Sequence, residues 1–267
     1  MDQNTFDEFR KLVYDKAGIA LGEKKEALVA ARLGKRMRHL NIESYEDYLD
    51  MLIKDDAQDE IMQLLDSIST NVTHFFRENQ HFDFLSSQIS QWYSAGQRKF
   101  RLWSAGCSSG EEPYTIAMTL LETFRGQPHD TRILATDLSS KVLTKAMNGI
   151  YAEKDIVKIP EHFLYTYFSK STDDSADSYH VNNNCKSLIT FQRLNLSEIP
   201  FPMKGPFDII FCRNVMIYFD NDFRKELLEQ YFRLLRKGGY LLVGHAESLT
   251  GMLSGFKSIK PSVYVKM

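Results

Sequence analysis

Phe100-Arg-Leu-Trp-Ser-Ala-Gly-Cys-Ser-Ser-Gly-Glu-Glu-Pro-Tyr114 is the stretch on which the fold turns. Its order is an apolar strand, a turn of small residues and a helix start. Glycines at 106 and 110 let a ligand come close to the main chain. A helix N-terminus carries partial positive charge and ordinarily welcomes phosphate. Here Glu111 and Glu112 occupy that end, and Pro113 suits the first helical turn. Such an acid pair repels a pyrophosphate and favours a ligand with hydroxyls, an amine or a positive centre.

Strands and helices continue to alternate downstream. Residues 98–104, 132–137, 207–212, 240–244 and 262–266 read as strands, and 113–125, 139–148 and 222–236 as helices. Lys237-Gly-Gly239 reads as a turn. The alternation predicts a parallel sheet with helices on both faces. Upstream, residues 1 to about 90 read as helices. Phe6, Phe9, Leu12 and Val13 recur at helical spacing, as do Leu28, Ala31, Leu33 and Met37. Tyr45, Tyr48, Leu49 and Leu52 do the same behind Ser44, a candidate cap. Ser169–Asn184 is polar, with Tyr179-His-Val181 inside it and a strand at Ser187–Phe191 behind it. It reads as a small hairpin-bearing insertion, with a disordered loop as the alternative.

The 267 residues, 43% apolar and 25% charged, suit one large globular domain or two modest ones. A net charge of −2 gives no global drive toward nucleic acid or anionic membrane, so any electrostatic recognition must be local. Cys107, Cys185 and Cys212 show no CxxC spacing, which argues against a disulfide framework or a zinc site and for a reducing compartment. Met1–Phe9 has neither the basic start nor the apolar core of a secretory signal. No apolar run is long enough to cross a bilayer.

Four constellations carry the chemistry. Asp137 ends the strand after the glycine turn, where an acid accepts from both hydroxyls of a nucleoside ribose; its plainer reading is a helix cap. The dinucleotide pattern GxGxxG is missing, and a sulfonium nucleoside without phosphate, S-adenosylmethionine (SAM), fits the acid pair better. Ser69-Thr-Asn-Val-Thr-His-Phe-Phe-Arg-Glu78 offers Arg77 as a fork for a ligand carboxylate, with Asn71 and Thr73 nearby. Taken alone, the segment reads better as a capped helix start with a surface arginine. Phe207-Asp-Ile-Ile-Phe-Cys212 runs into Arg213 and Asn214 at the end of a strand where open α/β sheets bind ligands, with Tyr218 following. Asn195-Leu196 would line the adenine side. Lys24, Lys25, Arg32, Lys35, Arg36, Arg38 and His39 form a basic segment, either a solvated face or a docking surface for an acidic helix. No stacking aromatics accompany it as RNA recognition would want. Histidines 74, 81, 129, 162, 180 and 245 show no metal-ligand spacing, so no metal is expected.

Thr70–Glu78, Ser109-Gly-Glu-Glu-Pro-Tyr114, Ala135-Thr-Asp137 and Phe211-Cys-Arg-Asn-Val-Met-Ile-Tyr-Phe219 together resemble the chemotaxis receptor methyltransferases of the CheR type. Gly244-His-Ala-Glu-Ser248 resembles that family's Gly-His-Ser-Glu segment, with alanine for serine. The resemblance runs from about Phe6 to Val265. It implies a class I SAM-methyltransferase fold: a Rossmann-like, doubly wound α/β sheet, an N-terminal all-α domain (1–80), a catalytic domain (81–267) and an inserted antiparallel β-subdomain at about 165–192. It implies SAM as cofactor, S-adenosylhomocysteine as product, and glutamate side chains in the cytoplasmic helical bundle of chemoreceptors as substrate. Cofactor contacts then fall on Asn71, Thr73, Arg77, Glu112 (favoured over Glu111), Asp137, Asn195, Leu196, Arg213 and Asn214. Tyr218, Arg77 and Arg213 would be the catalytic set, and Arg32 and Arg38 would meet the receptor. In some relatives the inserted subdomain also grips a peptide from the receptor's C-terminus. A cytoplasmic monomer with no nucleic-acid partner and no membrane insertion is expected. The competing readings are a SAM-dependent methyltransferase for RNA or a small molecule, and a non-catalytic SAM-binding signalling adaptor.

Overall fold

A computed structural model describes residues 1–54, 57–68, 72–171, 177–247, 249, 251–252 and 255–267. The first three helices form where the spacing predicted them, but the second turns a shifted face inward: Leu28 and Ala31 are exposed and Val29 is buried in their place. α1 (Gln3–Ala17) starts where the Asp2 carboxylate accepts from Thr5 N at 2.9 Å and stops at Gly18, where φ is +67°. It buries Phe6, Phe9 and Val13. α2 (Glu26–Leu40) buries Val29, Leu33 and Met37. α3 (Tyr45–Ile53) starts at Ser44, whose hydroxyl accepts from Asp47 N at 3.0 Å, and α4 (Gln58–Ile68) closes the group.

The chain then runs α5 (Gln80–Ser94), β1 (Lys99–Ala105), α6 (Glu111–Phe124), β2 (Asp130–Asp137), α7 (Ser140–Asn148), β3 (Ile150–Ala152), α8 (Glu153–Ile156), α9 (Glu161–Tyr167), β4 (Phe168–Lys170), β5 (Ser178–Val181), α10 (Asn183–Lys186), β6 (Ile189–Arg193), β7 (Phe207–Cys212), α11 (Asn221–Leu234), β8 (Leu235–Val243), β9 (Phe256–Lys260) and β10 (Val263–Lys266). The main sheet has the order β6-β2-β1-β7-β8-β10-β9. Its first five strands are parallel, and β10 and β9 add antiparallel at one edge. Chain order reverses between β1 and β7. The crevice beyond the carboxyl ends of these two strands is therefore the topological switch point.

Side-chain alternation sends the central strands into two cores. Trp103, Ile210 and Leu241 face the core shared with α11 and the N-terminal helices, so the helical region is packed onto the sheet domain through common apolar side chains. Leu102, Ile209, Phe211 and Leu242 face the other core, under α5 and α6.

Three details differ from the sequence reading. Lys237-Gly-Gly239 does not separate two elements: β8 passes through it, and the pairing with β7 jumps from Phe207↔Leu235 to Ile209↔Tyr240, so residues 236–239 bow out of the ladder. β9 went unread because its side chains are mostly exposed and carry no alternation. The inserted subdomain is redistributed. The small antiparallel sheet, order β3-β5-β4, takes its first strand from Ile150–Ala152, before the expected boundary at 165. The strand expected at its far end instead pairs parallel with β2, Ile133 against Ile189, because Ile189 and Phe191 can pack beside Ala135 and Leu143. Residues 172–176, in the polar stretch between β4 and β5, lie outside the described residues.

Candidate active site

The switch-point crevice is a cleft of about 970 Å³, counted to its open mouth. Thr73, Arg77, Glu112, Asp137, Asn195, Leu196, Arg213, Asn214 and Tyr218 all line it. Glu111 does not; it is buried and accepts from its neighbour Ser109 Oγ at 2.8 Å. Asn71 lies outside the described residues.

The floor is the glycine turn. Gly106 N and Cys107 N both donate to Thr136 O at 2.8 Å, which locks the turn to the end of β2. Gly106 has φ +84°, and a Cβ there would lie 2.4 Å from Val215 Cγ2 on the opposite wall. Asp137 holds the turn from the side. One oxygen accepts from Ser108 N at 2.8 Å and the other from Ser139 N at 3.0 Å. Burial raises its pKa, while these backbone N–H groups pull the other way.

At the centre Arg213, 6% exposed, joins two elements. Its guanidinium donates to Glu112 Oε2 at 3.0 Å and to Glu78 Oε2 at 3.1 Å, and it bonds the Arg77 carbonyl. Glu112 is further held by Ser104 Oγ at 2.7 Å. Burial raises the pKa of Glu112 against the pull of Arg213. Burial also works to raise that of Glu78, but there Arg213 prevails and the carboxyl stays below its ordinary range. Glu78 is the residue the sequence reading passed over. It stood in a quoted motif, yet its partner is 135 residues away. Arg77, beside it, donates to Val72 O at 2.7 Å and faces the cleft.

Glu247 is a second omission. It accepts from Gly244 N at 2.6 Å, Asn214 N at 2.8 Å and Ile217 N at 3.2 Å. One buried carboxylate thus ties the β8 end to the loop that carries Asn214 and Tyr218. Asn195 serves a similar purpose: its amide donates to Lys16 O at 2.8 Å, pinning α1 to the loop after β6. Of the seven described non-glycine residues with positive φ, Ser108 and Asn214 line the cleft and Glu78 bonds Arg213 within it. Such backbone persists where its surroundings over-determine it, as binding clefts do.

Among the described residues one trio of ligating side chains converges, Glu78, His81 and His245, with ligand atoms within 4.8 Å of one another. Spacing could not show it, since the histidines come from α5 and from the β8 end; their rings lie 5.1 Å apart. Arg213 already occupies the Glu78 carboxylate, and its charge disfavours a second cation there. Burial first, and Arg213 second, push the His81 pKa down to about 4. The unfolded chain therefore takes up this proton before the native one as pH falls. Stability linked to His81 is full above pH 6.5 and drains toward the folded pKa of about 4. His81→Leu removes a ring whose two nitrogens have no hydrogen-bond partner. We expect the variant to gain about 2 kcal/mol on the parent between pH 7.5 and pH 5 in urea unfolding. Parallel pH curves would refute the assignment.

The cleft fits a zwitterionic sulfonium nucleoside. Asp137 faces it beside Ser108 Oγ, a buried hydroxyl without a partner and a match for a ribose. Glu112 and Arg77 supply an acid for an amine and a cation for a carboxylate.

Comparison with known proteins agrees. Residues 4–69 match the all-alpha domain of the CheR methyltransferases, and residues 71–265 match their SAM binding domain. The chain is 40% identical to the chemotaxis protein methyltransferase of Borreliella burgdorferi, over 96% of this chain and 92% of that one. It is 36% identical to that of Escherichia coli, over 97% and 89%. Chemotaxis protein methyltransferase 2 of Pseudomonas aeruginosa is 34% identical, over 97% and 91%. With two family domains matched in order and near full-length relatives at up to 40% identity, the chain belongs to the CheR methyltransferase family and is a SAM-dependent methyltransferase.

Proposed function

We propose that the enzyme methylates glutamate side chains of chemotaxis receptors, working as a cytoplasmic monomer whose N-terminal helical domain (1–80) meets the receptor and whose remainder binds SAM. One observation carries this reading. Tyr218 lines the cofactor cleft and also a smaller, mainly apolar pocket of about 440 Å³ that reaches Lys25 and Arg32 on the basic segment. An acidic side chain entering past those cations arrives at Tyr218. SAM supplies an activated methyl group; the chain supplies placement. A glutamate with a pKa of about 4.3 is already ionised at neutral pH, so no general base is needed. Alignment alone can be worth about 7–11 kcal/mol of barrier.

In this reading Asp137 and Ser108 hold the ribose, Arg77 clamps the methionyl carboxylate, and Glu112 meets the amine, with Thr73 also in the cleft. Asn195 and Leu196 border the adenine. Arg213 and Asn214 hold these groups in register, and Tyr218 orients the acceptor carboxylate. The small sheet gives a second contact: β3 and β4 are its edges, and an extended peptide from the receptor's C-terminus would add there as a strand. Among the described residues no helix is long and apolar enough to cross a membrane.

The test is transfer of labelled methyl from SAM to chemoreceptor-bearing membranes, with release by mild base as an ester requires. Base-stable label, or label only in RNA or small molecules, would overturn the substrate. Tyr218→Phe removes one hydrogen bond to a charged group, about 1.5–3 kcal/mol. We expect turnover to fall about 10- to 100-fold with S-adenosylhomocysteine affinity unchanged; equal turnover would remove Tyr218 from the reaction.

A further inference from the structure

Where the helical region meets the sheet domain, a groove of about 1800 Å³, counted to its open mouth, runs between α2 and α7. The α2 wall carries Arg32, Lys35, Arg36 and His39, which helical spacing of three and four places on one face. The α7 wall carries Lys141 and Lys145, four residues apart. The lining thus holds five cationic side chains against one carboxylate, Asp66, in a chain whose net charge is −2.

Ion pairing within the chain accounts for part of it. Glu60 holds Arg36, and Asp155 holds Lys145 at 3.2 Å. Lys35 and Lys141 are exposed and in no ion pair among the described residues. One of these exposed lysines lies on each wall, and Asp66 in the same groove feels the charge of Lys141. Arg32 lines both this groove and the smaller pocket that ends at Tyr218. Arg38, six residues on, lines neither cavity.

We propose that this groove seats an acidic helix of the methylated receptor between two walls, with α7 as the second wall and Lys141 as its contact. The inference rests on the receptor reading above. A protein methylated on glutamates presents carboxylates along the very face that must approach, and an α-helix about 10–12 Å across can offer them to both sides of a groove. Cations on α2 alone would attract such a helix but leave its rotation free. A second row on α7 fixes which carboxylate turns toward Tyr218.

Lys141→Glu, Lys35→Glu and the exposed Lys154→Glu on α8, outside the groove, test this on chemoreceptor-bearing membranes. Lys141→Glu is expected to raise the receptor KM about 3- to 10-fold at low salt, with the difference shrinking in 0.5 M salt as surface charges are screened. S-adenosylhomocysteine affinity should be unchanged in all three, which also reports folding. Lys154→Glu should behave as the parent. If Lys35→Glu impairs the reaction and Lys141→Glu does not, docking uses α2 alone and the inference falls while the receptor reading stands. If receptors accept no methyl from the parent enzyme, the receptor reading itself fails. Equal impairment by Lys154→Glu would mean general charge attraction and would also overturn the groove.

Discussion

Arg213→Met is expected to cost about 3–5 kcal/mol of stability at pH 7.5 and to abolish measurable cofactor binding. The side chain is buried and is the shared partner of Glu78 and Glu112. A methionine fills much of the volume against Phe82, whose ring centroid lies 5.4 Å from the guanidinium, but provides no charge. Two neighbouring carboxylates would then lie in a partly desolvated site without a cation. One or both must take up a proton or draw water in. The pH dependence identifies the cause. In the parent, Arg213 keeps the Glu78 pKa low, so the stability it contributes is present at neutral pH and lost as pH falls through the folded value. Without Arg213, burial raises the pKa of both acids, and a raised acid gains stability as pH falls. The deficit of the variant should therefore narrow from pH 7.5 to pH 5 in denaturant unfolding. A variant within about 1 kcal/mol of the parent at pH 7.5 would mean that the ion pair is not the bolt of the site.

What the sequence made legible and what it hid divide along a physical line. The turn from Ala105 to Glu112 was readable because its determinants are local: glycines for the backbone, acids at a helix start, an aspartate at the next strand end. The N-terminal helices were readable for the same reason, through three- and four-residue spacing. Glu78, Glu247 and the His81–His245 pair were hidden because their roles are pairings across 135, 33 and more residues, settled only when the sheet order is known. Arg32 and Arg38 look equivalent as basic residues of one segment, and only the packing of α2 against α4 shows that Arg32 faces the groove. The small sheet was mis-bounded because three-residue strands such as β3 carry too few side chains to show a period.

Asp137→Ala is expected to raise the Kd for S-adenosylhomocysteine about 100-fold, measured by titration calorimetry. Each Asp137 oxygen already accepts one backbone N–H, from Ser108 and from Ser139. A carboxylate has about four acceptor positions, so each oxygen keeps one for the cleft. Two ribose hydroxyls would bond there, each worth about 1.5–3 kcal/mol to a charged acceptor before the backbone relaxes. The alanine also strands two backbone donors, so some loss of stability accompanies it. Ser108→Ala separates the effects: it removes the unpartnered hydroxyl that lines the same cleft but leaves Ser108 N bonded to Asp137. Its Kd should rise about 2- to 10-fold with stability intact, as for one neutral hydrogen bond. Protonation gives an independent check. Burial raises the Asp137 pKa, and a neutral carboxyl is a poorer acceptor, so parent affinity should weaken as pH falls into the carboxylate range. In Asp137→Ala that slope should flatten. An unchanged Kd in the variant would leave Asp137 as a clasp for the glycine turn only, and the ribose would have to be held elsewhere in the cleft.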